Sequence, residues 1–436
     1  MKRSVAFDRG AEWGFEGSFV VYPFSVWAVP ALLDRCLKVA ARVAAVAGVS
    51  LAVAGCGSFD MGMGDLFGGS KTDRSSRLTQ ADIDALNRGG PRVAMLLPLS
   101  APGEAGEAAR ALKEAGELAL FESGQPNIIL EAKDTQGTPQ GAQAAANEAI
   151  SGGARLIVGP LLSSSVKAVT PLAQSSGIPV VAFSTDQQAA SNGVYLLSFL
   201  PEQEVDRVVE YAIRQGRRRI AALLPQSPYG AVVERALTDA VQRRNGRLVA
   251  IERYAQTTES LRQMVQKVST ESNNPNGGMD ALLIGTGGDE LRTVATMLTD
   301  SGFNRTGVKL LGTSLWDDAT VGSIPVMIGA WYAGPPPETR QQFAQRFRNA
   351  YGRQPPRVAS LAYDAVSLAN ALAGQQQGDP FTQARLTEPS GFAGVDGVFR
   401  FLSNGLNQRG LAVMEITVTG STVIDPPPRG FTGAGS

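Results

Sequence analysis

Four short stretches of this 436-residue chain place polar side chains directly behind a buried-looking apolar run. The first is Val158-Gly159-Pro160-Leu161-Leu162-Ser163-Ser164-Ser165, with a helical pattern following. Gly159 lets the backbone approach a ligand, and the serine hydroxyls stand beside free helix N–H groups, a combination that suits a carboxylate. Simple helix capping by Ser163 or Ser164 is the plain alternative. The second is Ala182-Phe183-Ser184-Thr185-Asp186, and the third, Pro228-Tyr229-Gly230, brings a tyrosine into a helix start. The fourth, Gly285-Thr286-Gly287-Gly288-Asp289-Glu290, is rich in glycine but lacks the G-x-G-x-x-G spacing of a dinucleotide cradle. All four fall at strand-to-helix junctions, where open parallel sheets bind their ligands.

Composition removes most other chemistry. Lysine plus arginine and aspartate plus glutamate number 40 each, so no net field draws nucleic acid. The chain has no histidine, which takes away the commonest general base, the usual zinc ligand and a Ser-His-Asp arrangement together. Lys167 beside Ser163–Ser165 is the nearest approach to a nucleophile cluster, and no G-x-S-x-G elbow accompanies it. We therefore expect no catalytic residue, no metal and no cofactor: a binding protein, not an enzyme.

These junctions need a scaffold. Short continuous apolar runs bounded by Gly, Pro or Asp (Val93–Leu97, Ile128–Ala132, Leu156–Val158, Val180–Phe183, Ile220–Leu224, Ala281–Gly285, Lys309–Gly312) read as strands covered on both faces. Helical patterns alternate with them at Ala105–Phe121, Gln140–Ser151, Glu202–Gln215, Ala231–Arg244 and Glu290–Asp300. The alternation predicts an α/β fold of parallel sheets. More than one sheet is needed, so two doubly wound lobes are expected, with breaks at Phe199-Leu200-Pro201 and after Ile328–Tyr332. From Val398 onward the texture turns to antiparallel pairs, Val398–Leu402, Leu411–Val418 and Thr422–Ile424.

The amino-terminal end has a different character. Arg35, Lys38 and Arg42 precede an uncharged run from Val43 to Ala54, which ends in Gly55-Cys56. A basic segment, a short apolar segment and small residues make an export signal, and the run is well short of the ~20 residues a membrane span requires. With Val53-Ala54-Gly55 ahead of it, Cys56 resembles the cysteine of a bacterial lipobox, which implies lipidation and a lipid-anchored mature protein. Gly57 in place of an aspartate points to the outer membrane in preference to the inner. Residues 1–34 are long and aromatic for a signal, so the start of translation is expected further downstream. The only other cysteine, Cys36, lies inside the signal, and the mature domain is expected to have no disulfide. Residues 57–90 read as a flexible tether, with a short helix near Leu78–Asn87 and a typical reach of roughly 30 Å. Residues 426–436, opening Pro426-Pro427-Pro428, read as a disordered tail.

From about Pro91 to Ile424 the chain resembles the Leu/Ile/Val-binding group of type I periplasmic binding proteins. The resemblance rests on Val93–Ser100, Val158-Gly159-Pro160 with its serines, Gly177–Ser184, Tyr229-Gly230 and Ala362-Tyr363-Asp364-Ala365, in this order and spacing. It implies two α/β lobes joined by three crossing strands near Phe199–Pro201, Ala330–Ala333 and Gly391–Gly397. Lobe 1 would then hold 91–200 plus 331–390, and lobe 2 would hold 201–330 plus 391–425. It also implies an amino-acid-like ligand in the cleft. Ser163, Ser164 and Ser165, with Ser184 and Thr185, would hold the carboxylate; Asp186 and Glu290 would face the ammonium; Tyr229 would contact the ligand from the second lobe. The loop Ser100–Gly106 lacks that group's aromatic wall, and Phe183 stands where a proline is usual. Those departures, the anchor and Leu311-Gly312-Thr313-Ser314-Leu315-Trp316 resemble lipid-anchored penicillin-binding protein activators, which share the fold and contact a peptidoglycan synthase. The implied partners are accordingly a small ligand with an ABC transporter or, alternatively, a penicillin-binding protein.

Overall fold

Alternation within the strands decides how each sheet is covered. In β1 (Arg92–Leu97), Val93, Met95 and Leu97 point into one hydrophobic core while Ala94 and Leu96 point into another. Period-two side chains buried on both faces demand helices above and below the sheet. We describe a computed structural model covering Leu78, Thr79, Asp82 and residues 89–431 except 276, 277, 376 and 377. The export signal, Cys56 and most of the expected tether helix lie outside the described residues. All of those described belong to the unit Thr72–Ser436.

The first sheet has the order β2-β1-β3-β4-β5, all parallel, with β2 at Ile129–Asp134, β3 at Ala154–Val158, β4 at Val180–Ala182 and β5 at Val194–Leu196. One face is packed by α1 (Gly103–Glu122), α8 (Pro337–Tyr351) and α9 (Ala359–Ala373). The other carries α2 (Pro139–Ser151) and α3 (Ser163–Ser175), whose Ala142, Ala145, Ala146 and Ala149 let the α2 backbone lie close to the strands.

The second sheet runs β15-β14-β10-β9-β8-β6-β7. Its parallel part is β6 (Arg219–Pro225), β7 (Arg247–Tyr254), β8 (Ala281–Ile284), β9 (Lys309–Gly312) and β10 (Trp331–Gly334). β14 (Ala412–Thr417) and β15 (Gly420–Asp425) extend it antiparallel. Ala221 and Leu223 face α6 (Thr258–Ser272) and α7 (Gly288–Asp300), while Ile220, Ala222 and Leu224 face α4 (Pro201–Arg214) and α5 (Pro228–Arg243). The fold is thus α/β with two lobes, each built on a largely parallel sheet.

The chain passes between the sheets after β5, at residues 197–200; after β10, at Pro335-Pro336; and after β13 (Asn407–Arg409), at Gly410-Leu411. The third passage differs from the expected Gly391–Gly397. Those glycines instead shape a small antiparallel sheet of β11 (Phe392–Gly394), β12 (Gly397–Phe401) and β13. Val395, Phe399 and Phe401 are buried in the core of the first sheet, with the Phe401 ring 5.2 Å from that of Tyr195. Two phenylalanines spaced two apart need one continuous apolar surface, and that need assigns residues 391–409 to the first lobe against the sequence-based division. The expected disordered tail also differs over its first residues. Pro426–Phe431 lies along the body, and the Arg400 guanidinium stands 4.6 Å from the centre of the Phe431 ring.

Phe399→Ala should cost about 3–5 kcal/mol, the usual loss for a truncated core phenylalanine. Hydrogen exchange should show the lost protection in strands of the first sheet. Loss confined to β6–β10 would contradict the assignment.

Candidate functional site

Gly159 closes β3 with φ +89, and a Cβ there would stand 2.3 Å from the Leu96 carbonyl oxygen. Only glycine lets the chain turn here against β1, and the turn delivers Ser163 to the start of α3. Neither Ser163 nor Ser164 caps that helix through its side chain; the N-cap is Leu162. The Ser163 hydroxyl instead donates to Asp186 Oδ2 at 2.5 Å, and Lys167 Nζ reaches the same oxygen at 2.7 Å. Asp186 Oδ1 accepts the Gln188 N–H at 3.0 Å, and the Asp186 N–H donates to the Ser184 hydroxyl at 3.1 Å. Bonds from Lys167 and Ser163 hold the Asp186 carboxyl below its ordinary pKa. Ser164 and Thr185 are exposed, whereas Ser165 is buried with its hydroxyl unpartnered among the described residues.

Across the cleft, Ser227 caps α5 by accepting the Gly230 N–H at 3.1 Å, which sets Tyr229 in the first turn. The Tyr229 hydroxyl meets Thr313 Oγ1 at 2.8 Å, and burial pushes its pKa up, with Glu204 adding to the shift. Glu290, in the first turn of α7, accepts a hydrogen bond from Thr286 in the loop just before that helix. The expected residues therefore fall into three groups: Ser163, Ser184 and Asp186 with Lys167; Tyr229 with Thr313; Glu290 with Thr286. The polar atoms expected to meet a ligand largely meet the protein itself.

A cavity lies between the lobes. It has a volume of about 390 Å³ and brings Thr185–Gln188 of the first lobe against α5, with Glu202, Arg235, Asp239 and Arg243 in its walls. Glu202 Oε2 is buried there without a partner among the described residues. Burial raises the pKa of this carboxyl, opposed by its own backbone N–H, by a hydrogen bond from the Gln187 side chain and by the charge of Arg235. Glu202 and Arg235 were not among the expected site residues. Each reads in sequence as an ordinary polar position on an amphipathic helix, and no spacing singles either out.

The loop after β9 links the lobes. Gly312 has no Cβ because the Trp316 indole occupies that space, at 2.3 Å from where a Cβ would be. Trp316 Nε1 donates to the Thr286 carbonyl at 2.9 Å. Ser314 donates to the fully buried Glu204 through its N–H at 3.0 Å and its hydroxyl at 2.5 Å. Asp317 Oδ2 receives Arg340 at 2.5 Å and Arg357 at 2.7 Å, both from the first lobe. The Asp317 side chain is 14% exposed and the arginines 24–25%. Burial lifts the Glu204 pKa, opposed by Arg357 and Ser314.

Behind Arg357, Asp364 on α9 accepts the Val395 N–H at 2.7 Å, and Asp396 accepts the Ser360 hydroxyl at 2.5 Å. Burial pushes Asp364 up to about 7, with Asp396 raising it further and Arg409 pulling it down.

Asp317→Ala leaves two guanidiniums without their carboxylate, and denaturant unfolding should show a loss of about 2–4 kcal/mol; a loss under about 0.5 kcal/mol would mean the contact is solvent-screened. Asp364 binds its proton more tightly folded than unfolded, so its stabilising contribution is complete below about pH 4. That contribution is lost as pH rises toward its folded value of about 7. Asp364→Asn, which keeps an acceptor for Val395, should flatten the stability profile across that window. An unchanged slope would mean Asp364 does not titrate there.

The chain is 24% identical over 297 residues to penicillin-binding protein activator LpoA of Edwardsiella piscicida, covering 58% of this chain and 41% of that protein. It thus spans about two-fifths of that relative's length. Among solved structures it resembles a branched-chain amino acid ABC transporter protein from Rhodospirillum rubrum. There the TM-score is 0.68 and the identity 17%, over 77% of this chain and 100% of that one. It also resembles a solute-binding protein from R. palustris in complex with benzoate, with TM-score 0.57 and 17% identity over 80% and 98% of the two chains. At such identities the likeness establishes the fold alone. The periplasmic binding protein family model matches residues 91–421, and the chain belongs to that family.

Proposed function

We propose that this chain is an extracytoplasmic binding protein, lipid-anchored through Cys56 and held at the outer membrane, that takes an amino-acid-like ligand between its lobes. The observation that carries the reading is the 390 Å³ cavity, with loop Thr185–Gln188 on one side and α5 on the other. Glu202 and Arg235 supply opposite charges within it and do not pair with each other among the described residues. A ligand ammonium suits the first and a carboxylate the second, since each charge then gains a partner. Ser163, Ser165, Ser184, Tyr229 and Glu290 shape the loops around the cavity in this reading, and Thr185 and Asp186 reach its wall. No catalytic role is assigned to any of them.

A second reading is supported by the similarity to LpoA and by the self-satisfied cleft residues. In it the chain regulates a penicillin-binding protein through its surface, and the cleft is structural.

Titrating full-length protein with the common amino acids should raise its melting temperature. Saturation a hundredfold above Kd corresponds to about 2.7 kcal/mol of added stability. Arg235→Ala and Glu202→Gln should each remove the shift. Absence of any shift with the wild-type protein, together with recovery of a penicillin-binding protein from envelope extracts, would favour the second reading. Recovery of transporter membrane subunits alone would dismiss it.

A further inference from the structure

The interlobe cavity has a larger neighbour. A space of about 770 Å³ opens between α4, β13 and the described end of the chain from Asp425 to Phe431. Glu202 and Arg243 line both spaces, so the two adjoin at these side chains. Spaces of about 300–1,000 Å³ hold ligands of drug size, so a free amino acid would leave most of this pair unfilled.

The larger space is lined by arginines that share carboxylates. Arg207 and Arg214 both converge on Asp425, the first at 2.6 Å. Arg243 and Arg244 both converge on Asp206, at 2.7 and 2.6 Å. Arg207 spends most of its donors on Asp425, Glu210, Leu411 and Pro426, while Arg214 and Arg243 keep N–H donors beyond those given to Asp425, Glu210 and Asp206. Peptide carbonyls and carboxylates are acceptors for these donors. At the junction stands Glu202, whose buried Oε2 lacks a partner among the described residues and suits a cationic group.

We infer that the two cavities form one groove, with Glu202 at its joint, that accepts a short peptide bearing both charges, in preference to a free amino acid. The inference rests on the ligand-binding reading and narrows its ligand class. A cationic group of the peptide meets Glu202, a carboxylate meets Arg235, and the remaining backbone runs over Arg214 and Arg243 toward the Asp425–Phe431 segment.

Two probes test this by calorimetry on full-length protein: L-leucine and the tetrapeptide Gly-Lys-Glu-Gly with free termini. The tetrapeptide should bind at least tenfold tighter. Glu210→Trp and Gln408→Trp, from different elements, each put a large ring into the larger space only. Either should weaken the tetrapeptide tenfold or more and leave leucine unchanged, with near-ultraviolet circular dichroism confirming a native fold. Leucine binding as tightly as the peptide, or tetrapeptide affinity untouched in both folded variants, would overturn the groove and leave the single-cavity reading standing. Heat from neither probe would overturn both.

Discussion

A charged contact between the two lobes is built on one carboxylate. Asp317 stands at the end of the loop that follows β9 and collects Arg340 and Arg357 from the opposite lobe. Three residues earlier the same loop gives Ser314 to the buried Glu204 at the start of α4, and one residue earlier still it gives Thr313 to Tyr229. Partly buried charges of this kind are costly to separate, because each left alone loses both its partner and full hydration. Rotation of one lobe against the other must therefore break a charged contact as well as bend three passages of chain.

That wiring explains why the cleft does not look like a waiting amino-acid clamp. The tyrosine and the acidic residue from the second lobe are bonded to threonines, and Asp186 is held by a serine and a lysine of its own lobe. Polar groups near a cleft need partners whether or not a ligand comes, and here the protein supplies them. Glu202 Oε2 is left without a hydrogen-bond partner among the described residues, with Arg235 in the same cavity wall. The space that includes them continues toward the Asp425–Phe431 segment, beyond where a single amino acid would sit.

Parts of this were legible in the sequence for clear reasons. Runs such as Val93–Leu97 and Lys309–Gly312 are apolar on both faces, which leaves few options besides a covered parallel strand. Strands β5 and β7 escaped notice because β5 is only three residues long and β7 is an edge strand whose side chains stay partly exposed. The motif Leu311–Trp316 stood out in the sequence without its purpose. Its glycine makes room for an indole, and its polar residues bond Glu204 and Tyr229 of the same lobe, just ahead of the Asp317 that reaches the other. Arg357, between Pro356 and Val358, gave no sign of its importance, because nothing local marks an arginine that will meet an aspartate 40 positions away.

The sequence by itself determined the alternation of strands and helices, the absence of histidine chemistry and the placing of polar loops at strand ends. Those follow from side-chain periodicity and composition, which act over a few residues. Only the tertiary structure decided that Phe399 and Phe401 belong to the first lobe, that Asp186 and Tyr229 are already partnered, and that Glu202 is left facing two cavities. Each of those depends on which distant surfaces meet: apolar area is buried wherever a matching face exists, and a charge is satisfied or stranded by whatever the fold brings within a few ångströms of it.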